Sequence, residues 1–207
     1  MLPKKIVAIG SSTLFGRVDP QGGGYIGRLR SWHEENDPHN AVFNLGISGE
    51  TTADMLKRLV SEAIIRNPNL IILTSGSNDT RRIGSKNSPV NTSLEQFRKN
   101  INEMIRQAKQ IAPIVFVSIY PINESNTAPL RYWHDTYYYL LQDAIEYAQA
   151  VKEICNDNNI PYLDIFNKWL KEDYFEYLFE DGLHANAKGH EIIFNSLKLF
   201  LQSLYEI

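Results

Sequence analysis

The sequence predicts an α/β protein in which a five-stranded parallel sheet lies between two layers of helices, a three-layer α/β/α sandwich. Two observations predict it. Short apolar runs alternate with longer amphipathic stretches from one end of the chain to the other, the pattern of stacked βα units. The length of 207 residues, with 43% hydrophobic and 22% charged positions, is that of one domain with a sizeable core, and no repeat or linker divides it.

The expected strands are Lys5 to Ile9, Ala41 to Leu45, Leu70 to Thr74, Ile114 to Ser118 and Pro161 to Leu163. Each is an apolar run of strand length. Thr51-Thr52-Ala53-Asp54 offers a hydroxyl N-cap with an acid three residues on, and Met55, Leu56, Leu59, Val60, Ala63 and Ile64 then keep one apolar face, which makes a helix. Ser93-Leu94-Glu95-Gln96 repeats that capping logic ahead of Phe97, Ile101, Met104, Ile105 and Ala108, with Pro113 expected to stop the helix. A third stripe runs from Leu140 through Ala144, Ala148 and Val151 to Cys155, and a fourth from Ile192 through Leu197 to Leu204. Cys155 on such a stripe reads as a small core hydrophobe.

Composition excludes several function classes. Twenty-four acids against 21 bases give a net charge of -3, so the basic footprint of a nucleic-acid binder is missing. One cysteine closes no disulfide within the chain and leaves no Cys-based zinc site, which fits a reducing compartment. The apolar run after Lys5 is too short for a secretory signal, and no stretch approaches the ~20 apolar residues that cross a bilayer. A cytoplasmic protein without stable membrane insertion is the expectation. Gly22, Gly24 and Gly27 have dinucleotide-loop spacing but follow Asp19-Pro20-Gln21 rather than a strand. Gly10 and Gly16 suggest a P-loop, yet five residues lie between them where that loop has four, and Arg17-Val18 replaces the Lys-Ser/Thr that grips a phosphate.

Four short blocks carry the chemistry: Ile9-Gly10-Ser11-Ser12, Asn44-Leu45-Gly46-Ile47-Ser48-Gly49, Ser75-Gly76-Ser77-Asn78-Asp79 and Asp181-Gly182-Leu183-His184. The first three leave expected strands at their carboxyl ends, where open α/β sheets build their sites. A serine hydroxyl needs an imidazole to take its proton and a carboxylate to hold that imidazole in the right tautomer. Ser12, His184 and Asp181 supply those groups. An oxyanion must then be met by fixed donors, each worth ~3 kcal/mol. The backbone N–H groups of Ser12 and Gly49 and the side-chain amide of Asn78 are the candidates. Singly, these residues read as caps and turn formers; together, in this order, they specify a site. Asp79 is left a structural capping role, because the triad already has its acid.

The four blocks resemble the SGNH hydrolases, the GDSL-type lipase and esterase family, over nearly the whole chain from Ile6 to the last helix. The resemblance implies a flavodoxin-like α/β/α fold and hydrolysis of esters or thioesters with no metal or cofactor. It places the nucleophile on Ser12, the oxyanion-hole glycine and asparagine on Gly49 and Asn78, and the histidine with its acid on His184 and Asp181. One departure stands out: the family's first block reads Gly-Asp-Ser, and Ser11 occupies the place of the Asp. That acid is not the triad carboxylate, so its loss bears on the loop that presents Ser12. A small-molecule carboxylic ester is the expected partner, with a carbohydrate O-acetyl ester, a thioester or a ligand held with little turnover as alternatives.

The aromatic loops have two readings. Tyr120 and Trp133 are taken as candidate walls of the substrate pocket, since ligand sites are mostly apolar. Packing or subunit contact is the ordinary use of the other ring residues, so a homo-oligomer stays open. His190 is expected at the surface or as a cap.

Overall fold

The computed structural model describes residues 2–205. Along them run β1 (Lys5–Gly10), α1 (Ser12–Phe15), α2 (Gly24–Asn36), β2 (Ala41–Gly46), α3 (Thr52–Ile64), β3 (Leu70–Leu73), β4 (Arg82–Ile83), α4 (Leu94–Lys109), β5 (Ile114–Val117), α5 (Glu124–Thr127), β6 (Tyr137–Tyr138), α6 (Leu141–Asp157), β7 (Tyr162–Leu163), α7 (Ile165–Trp169), a 3-10 turn (Tyr174–Tyr177) and α8 (Ala187–Leu204). The five expected strands form one sheet in the order β2-β1-β3-β5-β7, with every pairing parallel. The chain turns outward in both directions from β1 and β3, and β1 pairs in register with both neighbours, Ile6 beside Val42 and Leu70.

Strand side chains alternate faces, so each interior strand feeds two cores. Val7, Ile9, Ile71, Leu73, Ile114 and Phe116 pack against α3, α4 and α6, while Ile6, Ala8, Leu70, Ile72, Val115 and Val117 pack against α1, α2, α7 and α8. Double burial explains why these strands read as unbroken apolar runs. Cys155 is fully buried in the first of these layers. Among the described residues no helix is long and apolar enough to cross a membrane.

The caps follow side-chain chemistry. Thr51 and Asp54 form a reciprocal capping box on α3, and Ser93 accepts the Gln96 N–H on α4. Helix α4 ends at Lys109, ahead of Pro113. Asp79 caps at a distance, because its carboxylate accepts both the N–H of Thr52 (3.1 Å) and the Thr52 hydroxyl (2.6 Å) at the start of α3. Burial pushes the Asp79 carboxyl up to about 6, against the pull of those donors. A carboxyl whose folded pKa lies above its unfolded value near 3.8 stabilises the fold below that value and loses the contribution as pH rises through 6, a change of order 3 kcal/mol at 1.36 kcal/mol per unit. Asp79→Asn does not ionise, so its melting temperature relative to the parent should climb between pH 4 and 7 and then level off. A difference that stays flat across that range in thermal melts contradicts this reading.

Three features depart from the sequence reading. Helix α2 fills the glycine-rich stretch, which lacked a clear helical stripe. A two-residue antiparallel ribbon, β4 with β6, has no counterpart among the expected strands, and pairs Arg82 with Tyr138 and Ile83 with Tyr137. His190 is buried in the first turn of α8 rather than at the surface, and its Nδ1 accepts the Tyr25 N–H of α2 at 3.2 Å. Burial holds its pKa down near 4, so the ring is neutral and ties two helices.

The glycine run has a packing purpose. A Cβ on Gly24 would lie 2.5 Å from the Gly16 Cα, which only glycines at both positions allow. The amino end of α2, where a dinucleotide's phosphates would sit, is occupied by the Asp19 carboxylate, which accepts the N–H groups of Gly22 and Gly24 and pairs with Arg28.

Candidate active site

Folding brings the four blocks to the carboxyl edge of the sheet. Ser12 opens α1 directly after β1, so its N–H is one that no helical carbonyl reaches. The short helix is held from the next strand: Asn44 of β2 donates to the Leu14 carbonyl at 2.8 Å and accepts the Gly46 N–H at 2.9 Å. A Cβ on Gly46 would meet the Phe15 nitrogen at 2.4 Å. Asn44 and Gly46 of the second block therefore seat the serine helix. Ser11 is buried and caps α1 through its backbone alone, its carbonyl accepting the Phe15 N–H at 2.9 Å.

The Asp181 block is fixed as firmly. Gly182 has φ +72, and a Cβ there would lie 2.8 Å from the Asn123 carbonyl oxygen, so glycine is required on both counts. The segment is tied to the chain before α5 by the Asn123 N–H on the Gly182 carbonyl (2.8 Å) and to Phe179 by that residue's N–H on the His184 carbonyl (2.7 Å). Asn186 then caps α8 by accepting the Gly189 N–H.

Within this frame Ser12 Oγ lies 3.0 Å from His184 Nε2, and His184 Nδ1 lies 2.6 Å from Asp181 Oδ2. Asp181 is fully buried. Its Oδ1 accepts the N–H groups of Leu183 and His184, and its Oδ2 also accepts the indole N–H of Trp133 at 2.6 Å. Burial acts to raise the Asp181 pKa, but the hydrogen bonds and charge of His184 and the Trp133 N–H outweigh it and hold the carboxyl below its ordinary value. A carboxylate at this position accepts the Nδ1 proton, which leaves Nε2 free to receive the Ser12 proton.

Ser12, Gly49, Asn78 and His184 line one cavity of about 190 Å³. Gly49 has φ +88 with no atom within 4 Å of where a Cβ would stand, so its need for glycine is conformational. The Asn78 amide is locked at both ends: Nδ2 donates to the Glu50 carbonyl at 2.9 Å, and Oδ1 accepts from the Tyr139 hydroxyl at 3.2 Å. One N–H of Asn78 Nδ2 is left over from the Glu50 contact.

The two aromatic candidates part company. Trp133 lines the cavity as well as touching Asp181. Tyr120 does not; it is buried beneath, where its hydroxyl accepts the Ala185 N–H at 2.8 Å and bonds Thr13 Oγ1 at 3.1 Å. It joins the residue after Ser12 to the residue after His184, a positioning contact in place of the expected wall. Arg17 and Arg81 also line the cavity. Neither was marked by the sequence, because nothing along the chain tells an arginine facing a cleft from one facing solvent. Among the described residues no three His, Cys, Asp or Glu side chains gather as a metal site requires.

Residues 8–192 match the model of the GDSL-like lipase/acylhydrolase family. The chain belongs to this GDSL family. As a member it is a carboxylic ester hydrolase. An acetylxylan esterase from Geobacillus stearothermophilus is 25% identical over 92% of this chain and 90% of that protein. A human isoamyl acetate-hydrolyzing esterase 1 homolog is 24% identical over 75% of this chain and 66% of its own length. In structure, a lipase/acylhydrolase from Enterococcus faecalis superposes with a TM-score of 0.77 over 97% of this chain and 96% of that one at 22% identity. The Geobacillus stearothermophilus acetylxylan esterase Axe2 superposes with a TM-score of 0.72 over 96% and 94% at 18% identity. These structural likenesses establish the GDSL fold.

Proposed function

We propose that this GDSL hydrolase is a serine esterase for short acyl groups, acetyl foremost, that works through Ser12, His184 and Asp181 and an acyl-enzyme. The observation that carries the reading is the continuous chain of contacts, Ser12 Oγ to His184 Nε2 at 3.0 Å and His184 Nδ1 to Asp181 Oδ2 at 2.6 Å. As Ser12 Oγ bonds the ester carbonyl carbon, its proton passes to His184 Nε2 and the carbonyl oxygen becomes an anion. The Ser12 and Gly49 N–H groups and the remaining N–H of Asn78 receive that charge. The carbon–oxygen bond to the alcohol then breaks, and the alcohol takes the proton from His184. Water attacks the acyl-serine next, gives its proton to His184, and Ser12 recovers that proton as the acid leaves. Side chains and amides fill every role, so the proposed mechanism requires no metal.

The cavity supports the acyl length. At about 190 Å³ it falls below the ~300–1,000 Å³ of sites that enclose drug-sized ligands. The acetylxylan esterase among the relatives supports an O-acetylated carbohydrate as the alcohol part. A panel of p-nitrophenyl esters from acetate to octanoate, with Ser12→Ala as the blank, tests the reading. Turnover should be highest on acetate and fall as the chain lengthens; turnover that survives in Ser12→Ala, or climbs toward octanoate, overturns it.

The Asn78 assignment has its own test. Asn78→Ala removes a donor held in place before reaction, and kcat should drop by about 10² to 10³ with KM little changed. A loss confined to KM would make Asn78 a substrate-binding group instead.

A further inference from the structure

The cavity beside Ser12 has an unusual charge. Of the side chains that line it, Arg17 and Arg81 carry a permanent positive charge, and none is acidic. Two carboxylates next to lining residues are engaged elsewhere: Asp181 is buried behind His184, and the Glu50 side chain is held by Arg58. Most guanidinium groups elsewhere in the chain meet carboxylates, among them Arg28 with Asp19, Arg98 with Glu153 and Arg106 with Glu103. The contrast is sharpest between neighbours, since Arg82 grips Asp143 with two bonds of 2.7 Å while Arg81 pairs with no carboxylate among the described residues.

Both cavity arginines are nonetheless held. The Arg17 guanidinium stacks 4.4 Å from the Trp133 ring centre, and that of Arg81 4.7 Å from Tyr137. Stacking fixes the plane of a guanidinium and leaves N–H donors at its edge, the arrangement that suits a planar carboxylate; Arg81 also meets the Tyr139 hydroxyl, which orients it further. The backbone after Arg17 is strained, with the β-branched Val18 at φ +60, a conformation such residues rarely keep without compensation. The Nε of Arg81 is buried without a protein partner. Two oriented cations without counter-charges among the described residues therefore line the cavity of the candidate nucleophile.

We infer that Arg17 and Arg81 form a carboxylate clamp, and that the preferred substrate is a short acyl ester of an acidic alcohol, such as an O-acetylated hydroxy acid or acidic sugar. This inference rests on the esterase reading above. The charge belongs to the alcohol part, because a carboxylate on a short acyl group would sit beside the developing oxyanion and oppose it.

The test compares O-acetyl-lactate with its uncharged amide, and monomethyl succinate, which carries the charge on the acyl side, with its own amide. Parent enzyme should prefer O-acetyl-lactate over O-acetyl-lactamide by about ten-fold in kcat/KM, the worth of a charge-assisted hydrogen bond. It should show no such preference within the succinate pair. In Arg17→Gln and Arg81→Gln the lactate ratio should fall toward one. The ratio cancels any general harm to the triad that passes from Arg17 through Trp133. A parent ratio near one, a ratio unmoved in both variants, or a preference for the charged succinate overturns the assignment. If p-nitrophenyl acetate and all four esters go untouched, the esterase reading fails on its own. The clamp is then judged by calorimetric binding of O-acetyl-lactate against the amide, where equal or absent binding refutes it and a preference lost in the arginine variants upholds it.

Discussion

Replacing His184 by alanine is expected to lower kcat by about 10⁵ to 10⁶ while the protein stays folded. The imidazole is in hydrogen-bond contact with the Ser12 hydroxyl, through the 3.0 Å contact of Nε2 with Oγ, and takes its proton in the proposed attack. Without it the serine must attack as a neutral hydroxyl, and the leaving alcohol has no acid to protonate it. The fold has little stake in the ring, because the segment is held by backbone contacts, the Phe179 N–H on the His184 carbonyl and the Asn123 N–H on the Gly182 carbonyl. Turnover of p-nitrophenyl acetate together with a thermal melt checks both halves. A fall of less than ten-fold would remove His184 from the proposed chemistry.

Asp181→Asn should cost about 10⁴ in kcat with almost no change in shape. The Oδ2 of Asp181 accepts two N–H donors at once, from His184 Nδ1 and from the Trp133 indole, each at 2.6 Å. The Oδ1 accepts the backbone N–H groups of Leu183 and His184, and that pair keeps the oxygen of an asparagine in place. Its NH₂ would then face the imidazole and the indole. The indole cannot give up its proton, but the imidazole can, and in the other tautomer Nε2 carries the hydrogen and cannot receive one from Ser12. The loss in activity should therefore lie in kcat rather than in KM, with a lower melting temperature from the lost indole bond, about 1–3 kcal/mol of stability; steady-state kinetics and a thermal melt resolve the two. A variant with normal kcat would mean that Asp181 serves the loop and not the imidazole.

The parts of the molecule that were legible are those whose chemistry is local. Strands β1, β3 and β5 are apolar runs because both faces are buried, and α3 and α4 announce themselves through Thr51 with Asp54 and Ser93 with Gln96. Helix α2 was hidden because Gly24 and Gly27 interrupt its buried face of Tyr25, Ile26, Leu29 and His33; those glycines answer to close backbone packing, which no window of sequence contains. The β4–β6 ribbon, two residues to a strand, is too short to show a period.

The site divides along the same line. Ser12, Asn78, Asp181 and His184 stood out because reactive and polar residue types recur at the ends of strands and before the last helix. The supporting contacts carry no such mark. Trp133 reaches Asp181 from 48 residues away, and Tyr120 binds Thr13 and Ala185 from below the cavity. Both read in the sequence as apolar rings, and their polar ends acquire meaning only when the fold supplies partners. Arg17 and Arg81 are the extreme case, because their interest lies in the absence of a facing acid.

The most direct measurement is covalent trapping of the nucleophile. The protein is incubated with a fluorophosphonate and examined by intact mass and peptide mapping, beside Ser12→Ala and His184→Ala. One adduct per chain on the peptide that carries Ser12, absent in Ser12→Ala and far slower in His184→Ala, is the result this account predicts. Labelling at another serine, or labelling undiminished in Ser12→Ala, would contradict it.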